Sequence, residues 1–244
     1  MTGRPPGPAP AGPLGSRCLY LCTADRPDLG QFVAACVRGG VDIVQLRDKE
    51  LDEAGQVRRA RILQRVCSDL GVPFVLNDRP DLAVEAGADG VHVGQDDVPA
   101  AEARRTVGTA AILGLSTHSP DDLAGAAGAP VDYLSAGPVV PTPTKPGRPG
   151  TGAAYAGLAT RRSSVPVFVT GGVTPTTVPG LVAAGVRRFV VVRWLTEATD
   201  PEAAARALRR AVDDALEGAA AAADGDPASG EGAPGGVSGS FATR

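Results

Sequence analysis

Residues 41–78, VDIVQLRDKELDEAGQVRRARILQRVCSDLGVPFVLND, show an alternation of apolar and helical segments from which the fold can be predicted. One apolar run of strand length begins at Val41, and a second begins at Pro73. Both are rich in Val, Ile and Leu, as expected for strands that are buried on both faces. Between them, an Ala-, Leu- and Arg-rich segment with helical spacing stops at Gly71, a residue that commonly ends helices. The stretch therefore predicts a strand–helix–strand unit.

The same alternation of strand and helix runs through most of the chain. Eight apolar runs alternate with helical segments, and the other six begin at Cys18, Gly90, Ala111, Val131, Val165 and Arg187. This pattern predicts an α/β fold, a single (β/α)₈ TIM barrel with a parallel sheet. An open doubly wound sheet is the alternative, but the chain lacks the glycine-rich first turn of a nucleotide-binding sheet.

The two ends of the chain differ in composition from the predicted barrel. Residues 1–16 and 218–244 are dominated by Gly, Pro, Ala and Ser, and we expect disordered tails around a barrel spanning residues 17–217. No run approaches the ~18 apolar residues of a membrane span, and residues 1–16 lack the apolar core of a signal peptide. The cysteines show neither a CxxC nor a zinc spacing and are expected to be buried free thiols in a reducing cytoplasm: Cys18, Cys22, Cys36 and Cys67.

Composition also restricts the class of partner. A net charge of -3 and an aromatic content of 4% argue against nucleic-acid binding, so we expect small-molecule substrates and no membrane partner. The sequence leaves open whether the chain forms a homo-oligomer. The paired arginines are expected to be solvated, at 58–59, 104–105, 161–162, 187–188 and 209–210.

Polar side chains at strand ends are informative because the active site of a (β/α)₈ barrel lies there. The second predicted strand ends in QLRDK, in which Gln45, Arg47 and Lys49 point the same way. Two cations and an amide on one face suit a diphosphate, which needs charge-assisted donors. A solvated strand end accounts for the same residues equally well.

Carboxylates follow the next two strands. Strand 3 ends in Asn77 and Asp78, and strand 4 leads into Asp96 and Asp97. Because adjacent strands lie ~4.8 Å apart, Asp78 and Asp97 can reach one Mg²⁺ ion, which typically binds one or two carboxylates plus substrate phosphate. Each residue alone is also a typical helix cap before a proline. As a pair beside a cationic strand end, they favour a metal site.

The later strands also end in groups that can bind phosphate. Ser116 offers a hydroxyl to an anion or, equally, a cap to the next helix. After strand 6, Thr142, Thr144 and Lys145 precede a glycine-containing stretch, residues 146–152, that we expect to act as a mobile lid. Strand 7 ends in Gly171-Gly172, where backbone N–H groups can approach a phosphate at a position that often binds one in these barrels.

Five motifs at successive strand ends, in this order and spacing, closely resemble the thiamine-phosphate synthase family: QLRDK (45–49), ND (77–78), GQDD (94–97), PTPTK (141–145) and GGV (171–173). The resemblance covers about residues 17–217. It implies a transferase that joins hydroxymethylpyrimidine diphosphate to a thiazole phosphate with Mg²⁺ as cofactor, releasing pyrophosphate. The chain departs from the family at Asp48, where Glu is frequent, and at Arg193, where a small serine is common.

The resemblance also implies roles for individual positions. The residues that would bind the pyrimidine diphosphate are Gln45, Arg47, Lys49, Asn77, Ser116 and Lys145, of which Arg47, Lys49, Ser116 and Lys145 would take part in catalysis. Asp78 and Asp97 would bind Mg²⁺. The thiazole phosphate would be bound by Thr142, Thr144 and Gly172, with the backbone near Val192 and Arg193.

Two other functions fit part of this pattern. A thiazole tautomerase of the same superfamily would handle the thiazole phosphate alone and would not need the diphosphate and Mg²⁺ residues. A non-catalytic phosphate-binding barrel would be favoured by loss of Arg47, Lys49 or Asp78, and all three are present. The chain has no Ser-His-Asp or Cys-His arrangement, and His92 lies within a strand, so we expect His92 to be structural.

Overall fold

A computed structural model describes residues 14–141 and 150–224, in which eight parallel strands close into a barrel, each paired with the next and β8 with β1. The strands are β1 Leu19–Thr23, β2 Ile43–Leu46, β3 Phe74–Asn77, β4 Gly90–Val93, β5 Ile112–Thr117, β6 Tyr133–Ala136, β7 Val167–Thr170 and β8 Phe189–Val191. The helices are α1 Leu29–Arg38, α2 Glu53–Asp69, α3 Pro80–Ala86, α4 Ala100–Val107, α5 Pro120–Gly125, α6 Gly152–Arg162, α7 Val178–Ala183, α8 Arg193–Thr196 and α9 Pro201–Asp224. The predicted (β/α)₈ barrel is confirmed.

Side chains alternate along the strands between two separate apolar clusters. In β1, for example, Leu19 and Leu21 pack outward among the helices, whereas Tyr20 points into the barrel. The inner cluster consists of Leu14, Tyr20, Ile43, Val75, Ile112, Tyr133 and Phe168. The same alternation directs Gln45 of β2 inward, between the outward-packed Val44 and Leu46. Polar side chains near the strand ends therefore face one central space.

Aspartates immediately before β2, β4 and β6 connect each of these strands to the preceding one at the N-terminal end of the barrel. The carboxylate accepts a hydrogen bond of 2.7–2.9 Å from a backbone N–H at the start of the preceding strand, and the N–H of the aspartate donates to the carbonyl of that same residue. The pairs are Asp42 with Leu19, Asp89 with Phe74, and Asp132 with Leu113. We call these pairs the aspartate clamps.

Three arginines predicted to be solvated instead stabilise this end of the barrel. Arg104 forms an ion pair of 2.6 Å with Asp132 and also donates to three carbonyls, and its side chain is only 15% exposed. Arg209 pairs with Asp42 at 3.0 Å. Arg188 donates to the carbonyls of Gly15 and Arg17. The prediction was wrong for these residues because their partners are distant in sequence.

The ends of the barrel also differ from the expected boundaries. Leu14, expected in a disordered tail, is 2% exposed and belongs to the inner cluster. Helix α9 continues to Asp224, past the expected limit at residue 217. All four cysteines are buried, and none forms a disulfide with another described residue. Within residues 14–141 and 150–224, no helix is long and apolar enough to cross a membrane.

Candidate active site

A cavity of about 750 Å³ opens at the C-terminal ends of the strands, and we call it the mouth cavity. It is the place where active sites of these barrels lie. The predicted site residues that line it are Gln45, Arg47, Lys49, Asn77, Asp78, Asp97, Ser116, Gly172, Val192 and Arg193. Thr142, Thr144 and Lys145 lie outside the described residues, as do residues 146–149 of the predicted lid.

The segment after β2 presents two cations to the mouth cavity. The backbone N–H of Arg47 donates to the Thr23 carbonyl at 2.8 Å, which extends the β1–β2 pairing beyond the strand. Among the described residues, none forms a hydrogen bond or ion pair with the Arg47 guanidinium, which leaves it available to an anion. The carboxylate of Asp48 accepts from the N–H groups of Asp25 (3.0 Å) and Glu50 (2.9 Å), so it holds the segment against the β1–α1 loop.

The two predicted metal ligands lie next to each other. Asp78 has a φ of 65°, a left-handed conformation that non-glycine residues seldom adopt, and its N–H donates to the His92 carbonyl at 2.8 Å. This turn brings its carboxylate to that of Asp97, which also accepts from the Gly94 N–H at 2.8 Å. On the other side, the Lys49 ammonium lies 3.3 Å from the Asp78 carboxylate.

The two carboxylates share a hydrogen bond and titrate differently. Burial raises the pKa of Asp78, the hydrogen bond with Asp97 and repulsion from it raise the pKa further, and Lys49 opposes both. Burial also acts to raise the pKa of Asp97, but the hydrogen bonds from Asp78 and Gly94 and the Lys49 charge outweigh burial and lower it. Protonation of the pair therefore favours Asp78, and the negative charge favours Asp97.

The opposite wall of the mouth cavity is formed by backbone after β7 and β8. Gly171 and Gly172 have φ values of 99° and 73°. A Cβ atom on Gly172 would come within 2.7 Å of a Val140 methyl carbon, so this position requires glycine for space as well as conformation. Arg193 begins α8 beside this wall, and its exposed guanidinium has no hydrogen-bond or ion-pair partner among the described residues. The wall suits a phosphate group.

A hydrogen-bond chain that the sequence analysis did not identify crosses the floor of the mouth cavity. It joins two predicted site residues through aromatic side chains, and its members in order are Cys22, Gln45, Tyr20, Tyr133, His92 and Ser116. In the sequence, the two tyrosines look like ordinary core residues, because no local pattern indicates that their hydroxyls form a hydrogen bond. The two residues are 113 positions apart. His92 was expected to be structural, and the structure places it on the cavity floor, 2.9 Å from the Ser116 hydroxyl.

The fold and the mouth cavity are those of a (β/α)₈ barrel suited to phosphate-bearing ligands. The sequence model of the family described as "Thiamine monophosphate synthase" matches residues 19–195. A thiamine-phosphate synthase from Mycobacterium sp. (strain KMS) is 43% identical over 218 residues, covering 83% of this chain and 96% of the relative. One from Thermobifida fusca is 44% identical over 203 residues, covering 81% and 93%. The solved thiamine phosphate pyrophosphorylase from Pyrococcus furiosus superposes with a TM-score of 0.75 at 25% identity, covering 82% of this chain and 98% of that one.

The chain belongs to the thiamine monophosphate synthase family. This confirms the resemblance stated from the strand-end motifs and the predicted class of enzyme, a transferase of thiamine biosynthesis. The roles of the individual site residues stay predictions.

Proposed function

We propose that the protein condenses 4-amino-2-methyl-5-hydroxymethylpyrimidine diphosphate with 4-methyl-5-(2-hydroxyethyl)thiazole phosphate, giving thiamine phosphate and pyrophosphate. The observation that carries the proposal is that one cavity combines two kinds of anion site. After β2, Arg47, whose guanidinium has no partner among the described residues, and Lys49, which pairs with Asp78, face the cavity from one side. The glycine backbone after β7 faces it from the other side. Two phosphate-bearing substrates require such a pair of sites. The buried cysteines, which form no disulfide among the described residues, also suit work in a reducing cytoplasm.

The pyrimidine diphosphate binds in this proposal against Arg47, Lys49 and Asn77, with Gln45 and Ser116 on the floor beneath the ring. Lys145 adds a further cation from outside the described residues. During reaction the bond between the pyrimidine methylene carbon and the diphosphate oxygen breaks, and its electron pair leaves on the oxygen. Arg47 and Lys49 stabilise the charge that develops there. The thiazole nitrogen then supplies the electron pair of the new C–N bond, so no protein atom needs to form a covalent bond.

Mg²⁺ fits the residues of the mouth cavity for reasons of charge and ligand type. Its described lining includes more acids than bases: Asp48, Glu50, Asp78, Asp96 and Asp97 against Arg47, Lys49 and Arg193. A diphosphate entering such a cavity needs additional positive charge. Asp78 and Asp97 offer hard oxygen ligands, and oxygens of the substrate phosphate would complete the coordination. Bound there, Mg²⁺ supplies Lewis-acid stabilisation of the diphosphate oxygens.

The thiazole phosphate binds in this proposal at Gly172, Val192 and Arg193, together with Thr142 and Thr144 outside the described residues. Gly171 and Gly172 both have positive φ, and a Cβ atom at either position would collide with atoms of residues 138–140, so the backbone here carries no side chain. The guanidinium at position 193, where the family commonly has serine, adds a charged donor to the same wall. This substrate therefore depends on backbone groups more than on side chains.

The decisive test is release of pyrophosphate by the purified protein. We expect release only when both substrates and Mg²⁺ are present, whereas a tautomerase would convert the thiazole phosphate alone and release none. Arg47→Ala should lower kcat by about 10²–10³-fold, the usual effect of removing a donor that stabilises transition-state charge. Arg105→Ala, which removes an exposed guanidinium on α4, is the matched control. No pyrophosphate from the unmodified protein under these conditions would refute the proposed function.

A further inference from the structure

The hydrogen-bond chain on the cavity floor has a defined geometry. The Cys22 thiol donates to the Gln45 amide oxygen at 3.2 Å, and the Gln45 nitrogen donates to the Tyr20 hydroxyl at 2.9 Å. The Tyr20 and Tyr133 hydroxyls lie 3.0 Å apart. Tyr133 lies 2.9 Å from His92 Nδ1, and His92 Nε2 lies 2.9 Å from the Ser116 hydroxyl. Every member of the hydrogen-bond chain is buried, so its polar groups need hydrogen-bond partners, either in the protein or on a ligand in the mouth cavity.

Counting the available hydrogens determines which group donates and which accepts at each step of the hydrogen-bond chain. Each tyrosine hydroxyl carries one hydrogen, and burial raises the pKa of both tyrosines well above the ordinary value, so both stay neutral. Tyr20 accepts from Gln45 and therefore gives its own hydrogen to Tyr133. Tyr133 in turn gives its hydrogen to His92 Nδ1. His92 must then carry its proton on Nε2 and donate it to Ser116.

We propose that Tyr20 and Tyr133 are positioning residues, which hold His92 as the Nε2–H tautomer so that the Ser116 hydroxyl directs its own hydrogen into the mouth cavity. Ser116 accepts from His92 and thus has a hydrogen to donate to a ligand. Gln45, whose oxygen is occupied by Cys22, likewise has its second amide hydrogen available. The cavity floor thus presents donors at both ends and selects a ligand with acceptors there, such as ring nitrogens or phosphate oxygens. The choice of ligand rests on the proposed function, whereas the tautomer does not.

The barrel makes room for this arrangement at Gly114. A Cβ atom on Gly114 would lie 2.1 Å from the Tyr133 ring, so only glycine lets this ring lie across β5. The Tyr133 ring also makes edge contacts with Tyr20 and Phe168, at centroid distances of 5.9 and 5.4 Å. These contacts fix the ring from two sides and leave its hydroxyl one position, between Tyr20 and His92.

The tautomer can be read directly by NMR because the chain has only 2 histidines, His92 and His118. In protein labelled with ¹⁵N-histidine, and with His118→Gln used for assignment, we expect a protonated, pyrrole-like Nε2 and a pyridine-like Nδ1 for His92. Tyr133→Phe removes the donor to Nδ1 and should give a mixture of tautomers with intermediate shifts. Protonated Nδ1 in the unmodified protein would mean that the Gln45 amide is turned over and every bond runs the other way, which overturns the inference.

Steady-state kinetics test the positioning role of the two tyrosines independently. Tyr133→Phe and Tyr20→Phe should each lower kcat/KM for the pyrimidine diphosphate about tenfold, the order expected for one lost neutral hydrogen bond, with little change in KM for the thiazole phosphate. Tyr155→Phe, the third tyrosine of the chain and outside the mouth cavity, is the matched control for both measurements.

The outcomes separate the two proposals. Pyrophosphate release by a protein with the Nδ1–H tautomer refutes the inference and leaves the proposed function standing. An Nε2–H tautomer in a protein that releases no pyrophosphate supports the inference and refutes the proposed function. The spectrum of the unmodified protein decides the tautomer even if a tyrosine variant fails to fold.

Discussion

Leu14 closes the N-terminal end of the barrel interior, and its removal should be costly. At 2% exposure it lies in the inner cluster, whose other members come from β1, β2, β3, β5, β6 and β7. Leu→Ala at a buried site costs about 2–5 kcal/mol, and a site at one end of the barrel interior can partly collapse. We therefore expect about 2–3 kcal/mol for Leu14→Ala. At roughly 2–4 °C per kcal/mol for a chain of this size, the midpoint should fall by about 4–12 °C.

The assay is thermal unfolding followed by circular dichroism, with urea unfolding at 25 °C as a check. Leu70→Ala is the control, since Leu70 is 37% exposed and its truncation should cost less than about 1 kcal/mol. Because Tyr20 and Tyr133 belong to the same cluster, the Leu14 variant should also lose activity below its unfolding temperature. Equal midpoints for the two variants would show that Leu14 does not close the barrel.

Three further predictions concern the substrate and metal sites. Asp78→Asn or Asp97→Asn should reduce turnover by orders of magnitude at limiting Mg²⁺ without lowering the melting temperature, and normal turnover would contradict the metal assignment. Because the pKa of Asp78 is raised and Mg²⁺ binds the deprotonated carboxylate, the apparent Mg²⁺ affinity of the unmodified enzyme should weaken as the pH is lowered, and a flat titration would count against this. Gly172→Ala should raise KM for the thiazole phosphate, since its Cβ meets Val140. Gly87→Ala has nearly the same φ, 71°, with nothing within 4 Å, and should leave KM unchanged.

The eight strands were predictable because each is an apolar run buried on both faces, and buried parallel strands leave that signal in sequence. Strand-end residues such as Arg47 and Asp78 were predictable as cavity residues for a related reason. In a closed barrel all C-terminal strand ends meet, so position along the chain translates directly into position in space.

Features that depend on remote partners were not predictable in the same way. Arg104 looks like any exposed helix residue until Asp132 is placed beside it, and Tyr133 looks like a core aromatic until its hydroxyl meets His92. Leu14 stands alone in a Pro- and Gly-rich segment without periodicity, so no local pattern indicates its burial. The sequence carries the identity of these groups, but only the closed barrel brings their partners together.

The aspartate clamps imply that the barrel is organised in pairs of strands. Each clamp joins residues only 15, 19 or 23 positions apart, so each can form within one short segment before the ring closes. A circular permutant opened at residues 70–72, between α2 and β3, keeps all three clamps within continuous chain. Opening at residues 39–40 instead places the two halves of the first clamp at opposite termini. In the fourth pair of strands, β7 and β8, Arg188 takes the position of the aspartate. It donates to the carbonyls of residues 15 and 17, so it connects the last pair of strands to the segment before β1.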